Sequence, residues 1–136
     1  MNLTIVIPVL NEEEAIGSTI QRCQASVSKI VAQTSVEEVE IVVVSDGSTD
    51  RTVEIAKSFT GIQVVVFEEN RGYGAAIKAG WELGKGNLLA FLDGDGTCSP
   101  DYFVDMCLLI EKEDADVVLG SRMGKNRKMP KVRRLG

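Results

Sequence analysis

The chain has 136 residues, 44% of them apolar and 26% charged, with a net charge of −5. That length suits one domain with a single core, and that balance excludes disordered, fibrous and collagen-like classes. The acidic body argues against a nucleic-acid reader, and with no histidine anywhere the Ser-His-Asp and Cys-His nucleophile schemes are excluded.

At the amino terminus, Met1-Asn2-Leu3-Thr4 lacks a basic region, and the apolar stretch behind it is too short for a signal peptide or membrane span. The sequence therefore predicts a cytoplasmic protein. Residues 3–9 (LTIVIPV) read as a first strand, with Pro8 near its end, where a missing ladder donor is tolerable. Asn11 then reads as a helix cap. Glu14 three residues on completes a capping-box pattern, and Ile16, Ile20, Cys23, Val27, Ile30 and Val31 follow at helical spacing. Residues 39–44 (VEIVVV) form a second strand, ending in the polar run Ser45-Asp46-Gly47-Ser48-Thr49-Asp50. A short helix through Val53, Ile55 and Ala56 follows, then a third strand over 62–67 (IQVVVF).

Asn70-Arg71-Gly72-Tyr73-Gly74 leads into a helix from Ala75 to Leu83, and 88–92 (LLAFL) is a fourth strand. It delivers Asp93 and Asp95, one residue apart, into a glycine-rich turn. Ser99 as N-cap and Pro100 at the first helical position open a further helix. Tyr102, Phe103, Met106, Leu109 and Ile110 supply its apolar face. Residues 116–119 (DVVL) are a fifth strand. Cys23, Cys98 and Cys107 show no C-x-x-C spacing and have no imidazole partner, so reduced, partly buried thiols are expected rather than a disulfide framework or zinc site.

Strands alternating with helices build a mostly parallel sheet covered on both faces, a Rossmann-like α/β architecture. The polar clusters 11–14, 46–50 and 93–97 then lie at the carboxyl ends of strands, where open α/β sheets collect ligands. Taken singly, Asp-Gly-Asp and Asp-Gly-Ser-Thr-Asp are equally well read as polar turns. Taken together they predict one cleft, rich in carboxylates and joined by Arg71, Lys78 and Arg122. Oxygen ligands without sulfur or imidazole point to Mg²⁺ or Mn²⁺. Such a cation bridges carboxylates to a ligand's phosphates and offsets charge on a departing diphosphate.

Charge is unevenly placed. Residues 1–121 hold 8 Lys and Arg against 20 Asp and Glu, whereas 122–136 hold 7 basic residues and no acid. The expected division is therefore an acidic body over 1–121 and a basic tail over 122–136. Arg122, Lys125, Arg127, Lys128, Lys131, Arg133 and Arg134 suit phosphates or an anionic membrane surface, as they suit a solvated terminus.

Ile5-Val6-Ile7-Pro8-Val9-Leu10-Asn11-Glu12-Glu13, Val44-Ser45-Asp46-Gly47-Ser48-Thr49-Asp50, Asn70-Arg71-Gly72, Asp93-Gly94-Asp95 and Gly120-Ser121-Arg122 together resemble the ordered motifs of family 2 glycosyltransferases. The resemblance is greatest to the polyprenyl-phosphate sugar transferases. It implies a GT-A-type fold, a UDP- or GDP-hexose donor, a divalent metal, inversion at the anomeric carbon and a dolichyl- or undecaprenyl-type lipid-phosphate acceptor. By matching position, Pro8, Asn11 and Glu12 would line the nucleoside pocket, and Asp46 and Ser48 would hold base and ribose. Asp93 and Asp95 would serve metal and donor, with Asp95 the direct ligand. Gly72 would admit the donor close to the backbone, Lys78 would reach the diphosphate, and Arg122 would face donor or acceptor phosphate. The resemblance also places the protein at the cytoplasmic face of a membrane. A second copy of the chain stays open as a partner.

Two features depart from that family. Relatives carry Gln or His shortly after the second aspartate, where this chain has Gly96-Thr97, so Thr97 or water would fill that place. The chain also stops at Gly136, ahead of the segment that in relatives supplies an acceptor-activating carboxylate. A phosphate acceptor is already anionic and needs no such base. Two alternatives stand beside this reading. Leu92-Asp93-Gly94-Asp95-Gly96-Thr97 also resembles the first motif of haloacid-dehalogenase-type phosphatases, with Asp93 as nucleophile, Asp95 as acid and base, and Ser121 and Lys125 in later roles. The other is a shortened nucleotide-binding module without activity. A dinucleotide oxidoreductase is disfavoured, since Asn11-Glu12-Glu13 stands where a G-x-G-x-x-G turn belongs.

Overall fold

The computed structural model describes residues 1–113, 117–119 and 131–133. In chain order it contains β1 (Asn2–Val9), α1 (Ile16–Gln33), β2 (Glu38–Asp46), α2 (Thr52–Lys57), β3 (Gln63–Phe67), α3 (Tyr73–Leu83), β4 (Leu88–Phe91), α4 (Tyr102–Glu113), β5 (Val117–Leu119) and β6 (Lys131–Arg133). The first four strands form one parallel sheet in the order β3-β2-β1-β4. Strand order reverses at β1, so the carboxyl ends of β1, β2 and β4 flank a switch point, the place where α/β sheets bind ligands.

The central strands β1 and β2 are apolar without alternation because both of their faces are covered. On one face, Ile5, Ile7, Ile41 and Val43 pack with Ile16, Ile20 and Ile30 of α1, Ala56 of α2 and Phe103, Val104 and Cys107 of α4. On the other, Val6, Val42 and Val44 pack with Ala76 of α3 and Phe67. Each fully buried aliphatic side chain contributes about 1.5–3 kcal/mol, so a central strand with helices on both sides gains from Ile or Val at every position. The expectation of a mostly parallel sheet with helices on both faces holds.

Pro8 sits as its missing donor requires. Val6 accepts the Leu92 N–H through its carbonyl at 2.8 Å, so β1 residues of that parity turn their backbone groups toward β4. The β4 ladder ends at Phe91 opposite Val6, which leaves no bond for a residue 8 N–H to make.

Three sequence expectations are corrected. Asn11 does not cap α1: the helix opens at Ile16 after Ala15, with no side-chain cap. Asn11 takes a left-handed conformation with φ of 51°, and its side chain is engaged across the sheet edge. The apolar face of α4 is rotated from its predicted position, with Phe103, Val104 and Cys107 buried and Tyr102, Met106, Leu109 and Ile110 only partly so. The helix opens at Tyr102, two residues after the expected Pro100, and the Ser99 hydroxyl accepts the Asp101 N–H at 3.3 Å in the turn ahead of it. The fifth strand forms, but Val117–Leu119 pairs antiparallel with Lys131–Arg133 in a separate two-stranded sheet. β6 lies in the basic segment read from the sequence as a tail, and the rest of that segment lies outside the described residues.

Cys23 and Cys107 are buried free thiols, and Cys98 is half-buried. Burial pushes the Cys23 thiol up to about 12. No helix among the described residues is long and apolar enough to cross a membrane.

Candidate functional site

A cleft of about 500 Å³ opens at the carboxyl edge of the sheet, lined by Pro8, Glu12, Asp46, Gly72, Asp93 and Asp95 among others. That volume lies within the range of small-molecule sites. Asp46 from β2 and the two aspartates that follow β4 therefore share one hollow, as the sequence predicted.

Asp46 ends β2 and is 5% exposed. Its Oδ1 accepts the Arg71 N–H at 2.6 Å and its Oδ2 the Gly72 N–H at 3.0 Å. A carboxylate is the side chain that satisfies two converging backbone donors at once. Asp46 thereby fixes the 70–72 loop as one wall of the cleft, and the Arg71 guanidinium rests over the Phe67 ring, 4.4 Å from its centroid. Gly72 has φ of 104°, a conformation that L side chains rarely adopt. A β-carbon there would meet no atom within 4 Å, so the position is selected for backbone conformation and leaves open space beside the cleft.

Asn11 and Ser48 work one layer out. The Asn11 Oδ1 accepts the Thr49 N–H at 2.8 Å and the Asp50 N–H at 3.3 Å, while the Ser48 Oγ accepts the Asn11 N–H at 3.1 Å. The Thr52 hydroxyl accepts the Glu12 N–H at 2.8 Å and donates to Asp50. These bonds sew the loop after β1 to the loop after β2 and hold Glu12 at the cleft. Desolvation raises the Asp50 carboxyl, but hydrogen bonds from the Thr52 hydroxyl, the Thr52 N–H and the Glu13 N–H outweigh it and bring the group below its ordinary value.

The third wall is the 93–97 turn. Gly94 is required by space, because a β-carbon would stand 2.3 Å from Val9 Cγ1 and 3.3 Å from the Pro8 carbonyl oxygen. The turn is held from α1 as well: the Thr19 hydroxyl reaches the Gly94 carbonyl at 3.4 Å and the Arg22 guanidinium the Gly96 carbonyl at 3.1 Å. The Thr97 N–H and hydroxyl both donate to Asp95 Oδ1, at 3.0 and 2.7 Å. Thr97, the departure from the family pattern, thus braces Asp95. The Tyr73 hydroxyl donates to Asp93 Oδ1.

Of the residues singled out from sequence, six line the cleft and two, Asn11 and Ser48, support it. Lys78 is exposed on α3 and is not among the lining residues. Arg122 lies outside the described residues, as do Ser121 and Lys125. Sequence reasoning gave no role to Tyr73 or Asn70, which also line the cleft. The signal available for Tyr73 was its place between Gly72 and Gly74 at the mouth of a helix that starts on the ligand edge. Among the described residues no group of three or more acidic, cysteine or histidine side chains is placed to hold a metal. Asp93 and Asp95 are hard oxygen donors on one turn, which fits a divalent cation that takes its remaining ligands from phosphate and water.

The family described as Glycosyl transferase family 2 matches residues 4–135. The dodecaprenyl-phosphate galacturonate synthase of Rhizobium johnstonii is 32% identical over 133 residues, which are 94% of this chain and 37% of that protein. The dolichyl-phosphate beta-glucosyltransferase of Drosophila melanogaster is 34% identical over 133 residues, 90% of this chain and 41% of that protein. Among solved structures, glucosyl-3-phosphoglycerate synthase from Mycobacterium tuberculosis in complex with Mn²⁺, UDP and phosphoglyceric acid superposes with a TM-score of 0.68 at 27% identity, over 91% of this chain and 44% of that one. The α/β fold is the GT-A fold of these transferases, as the resemblance implied. The chain spans about two fifths of the length of these relatives. Nothing among them supports the phosphatase alternative.

Proposed function

The chain belongs to glycosyl transferase family 2, and on that premise we propose that its cleft takes a nucleotide-diphosphate hexose, UDP being the nucleotide, and passes the sugar to a polyprenyl phosphate with inversion. The observation that carries this reading is the convergence of Asp46, Asp93 and Asp95 on one cleft beyond the strand ends. The relatives named for dodecaprenyl and dolichyl phosphates support the acceptor, and the UDP- and Mn²⁺-bound structure supports nucleotide and metal.

In this reading Pro8, Glu12 and the loop clamped by Asp46 receive the nucleoside, and Asn11 and Ser48 keep that pocket in shape. Gly72 lets the donor lie close to the backbone. Asp93 and Asp95 would hold Mg²⁺ or Mn²⁺, which would offset the charge growing on the diphosphate as it departs. An acceptor phosphate oxygen attacks the anomeric carbon from the face opposite the diphosphate; the bond to the diphosphate breaks and its electron pair leaves with UDP. A phosphomonoester is anionic near neutral pH, so no side chain need remove a proton from it. Arg122, by its match to the family motif, and the basic residues after it would meet donor or acceptor phosphate at a membrane surface.

The test is to incubate the protein with UDP-glucose, UDP-galacturonate and GDP-mannose, polyprenyl phosphate in detergent micelles and Mn²⁺, and to read lipid-linked sugar by mass spectrometry. A polyprenyl-phospho-sugar formed from a UDP donor and lost with Asp95→Asn supports the reading. Sugar transfer only to water or to a hydroxyl acceptor refutes the phosphate acceptor.

A further inference from the structure

Among the described residues β4 is a short edge strand, four residues paired to β1, and the carboxylate pair follows its end. Aromatic contacts from α3 steady the face of β4 that lies beside Val6. The Trp81 indole N–H donates to the Ala90 carbonyl at 3.0 Å. Phe91 packs against Trp81, with ring centroids 6.4 Å apart, and edge-on against Tyr73, at 6.2 Å and 87°. Tyr73 then donates its hydroxyl to Asp93 Oδ1. Tyr73 is 52% exposed, so general burial does not account for its placement; its ring edge and its hydroxyl are each engaged by the segment 91–93.

We propose that Tyr73 is a positioning residue for Asp93, its phenol orienting the carboxylate that serves the cation and donor diphosphate. The inference rests on the donor-site reading above and adds to it a residue that reading does not use. A hydroxyl donor to one oxygen of a carboxylate fixes the rotation of the group while leaving acceptor capacity on both oxygens. Partners of this kind set ligand orientation, and their removal costs about 10–100-fold in metal affinity; Tyr73 is half in water, which places it near the lower end, about tenfold.

Tyr73→Phe deletes the hydroxyl and keeps the ring on Phe91, and Tyr73→Leu deletes both. Mn²⁺ affinity is measured by calorimetry with UDP present, and amide hydrogen exchange is followed over 93–97 without metal. For Tyr73→Phe the expected results are a roughly tenfold weaker Mn²⁺ affinity, faster exchange across the turn, unchanged thermal stability and unchanged UDP affinity in EDTA. Tyr73→Leu is expected to lose the same metal affinity and to melt lower as well. If the wild-type chain binds Mn²⁺ with UDP and Tyr73→Phe matches it in both readouts, the assignment of Tyr73 is overturned while the donor site stands. If the wild-type chain takes up no Mn²⁺ with UDP, the donor-site reading fails and this role with it.

Discussion

Asp46→Asn isolates the contribution of one carboxylate to the cleft. The substitution keeps volume and shape but replaces one oxygen by an amide NH₂, and Asp46 meets a backbone N–H on each oxygen, at 2.6 and 3.0 Å. Whichever way the amide turns, one N–H then faces another donor. One charge-assisted bond of about 1.5–3 kcal/mol is lost, and the other falls to a neutral bond of about 0.5–1.5 kcal/mol. At 5% exposure little water reaches the orphaned donor to compensate. The expected loss is about 2–4 kcal/mol, or about 10 °C in melting temperature for a domain of this size. Urea unfolding monitored by circular dichroism gives the first number and a thermal scan the second. UDP affinity should fall with them, because the 70–72 loop loses its anchor. A variant that melts within about 2 °C of the wild type would refute the claim that Asp46 holds that loop.

Two further predictions come from the loops around the cleft. Gly94→Ala forces a β-carbon to within 2.3 Å of Val9 and should cost about 1–3 kcal/mol as overpacking together with metal-dependent nucleotide binding. Gly17→Ala is its control: the added β-carbon would lie 3.6 Å from Ile55 and should gain about 0.5–1 kcal/mol of helix stability, both being read from urea midpoints. Asp50 titrates lower in the folded chain than its ordinary 3.8, so its contribution is fully present above that value and lost as pH falls through and below it. Between pH 5 and 3 the wild type should therefore lose more stability than Asp50→Asn; parallel acid-unfolding curves would contradict this.

The parallel sheet was legible because Ile5 to Val9, Ile41 to Val44 and Leu88 to Leu92 are unbroken apolar runs, the first two of them in strands covered on both faces. The shared edge was legible for the same reason, since each polar cluster follows one of those runs. Asn11 was misread because an asparagine ahead of a helical pattern has the same local signature whether it caps the helix or turns left-handed to accept Thr49 and Asp50. Only the neighbouring β2 loop decides, and that is a tertiary fact. The Tyr73 hydroxyl likewise finds Asp93 twenty residues away, a pairing that no spacing encodes. β6 was missed because Lys131-Val132-Arg133 sits in a basic run with a single apolar residue, too little for a period-two signal.

The central claim is that the cleft holds a nucleotide diphosphate together with a divalent cation. Titration calorimetry of UDP into the protein, with Mn²⁺ and again with EDTA, on the wild type and Asp95→Asn, addresses it directly. The account predicts binding strengthened by Mn²⁺ in the wild type and insensitive to Mn²⁺ in Asp95→Asn, with both proteins equally folded. Equal affinity with Mn²⁺ and EDTA in the wild type, or undiminished Mn²⁺-dependent binding in Asp95→Asn, would contradict it.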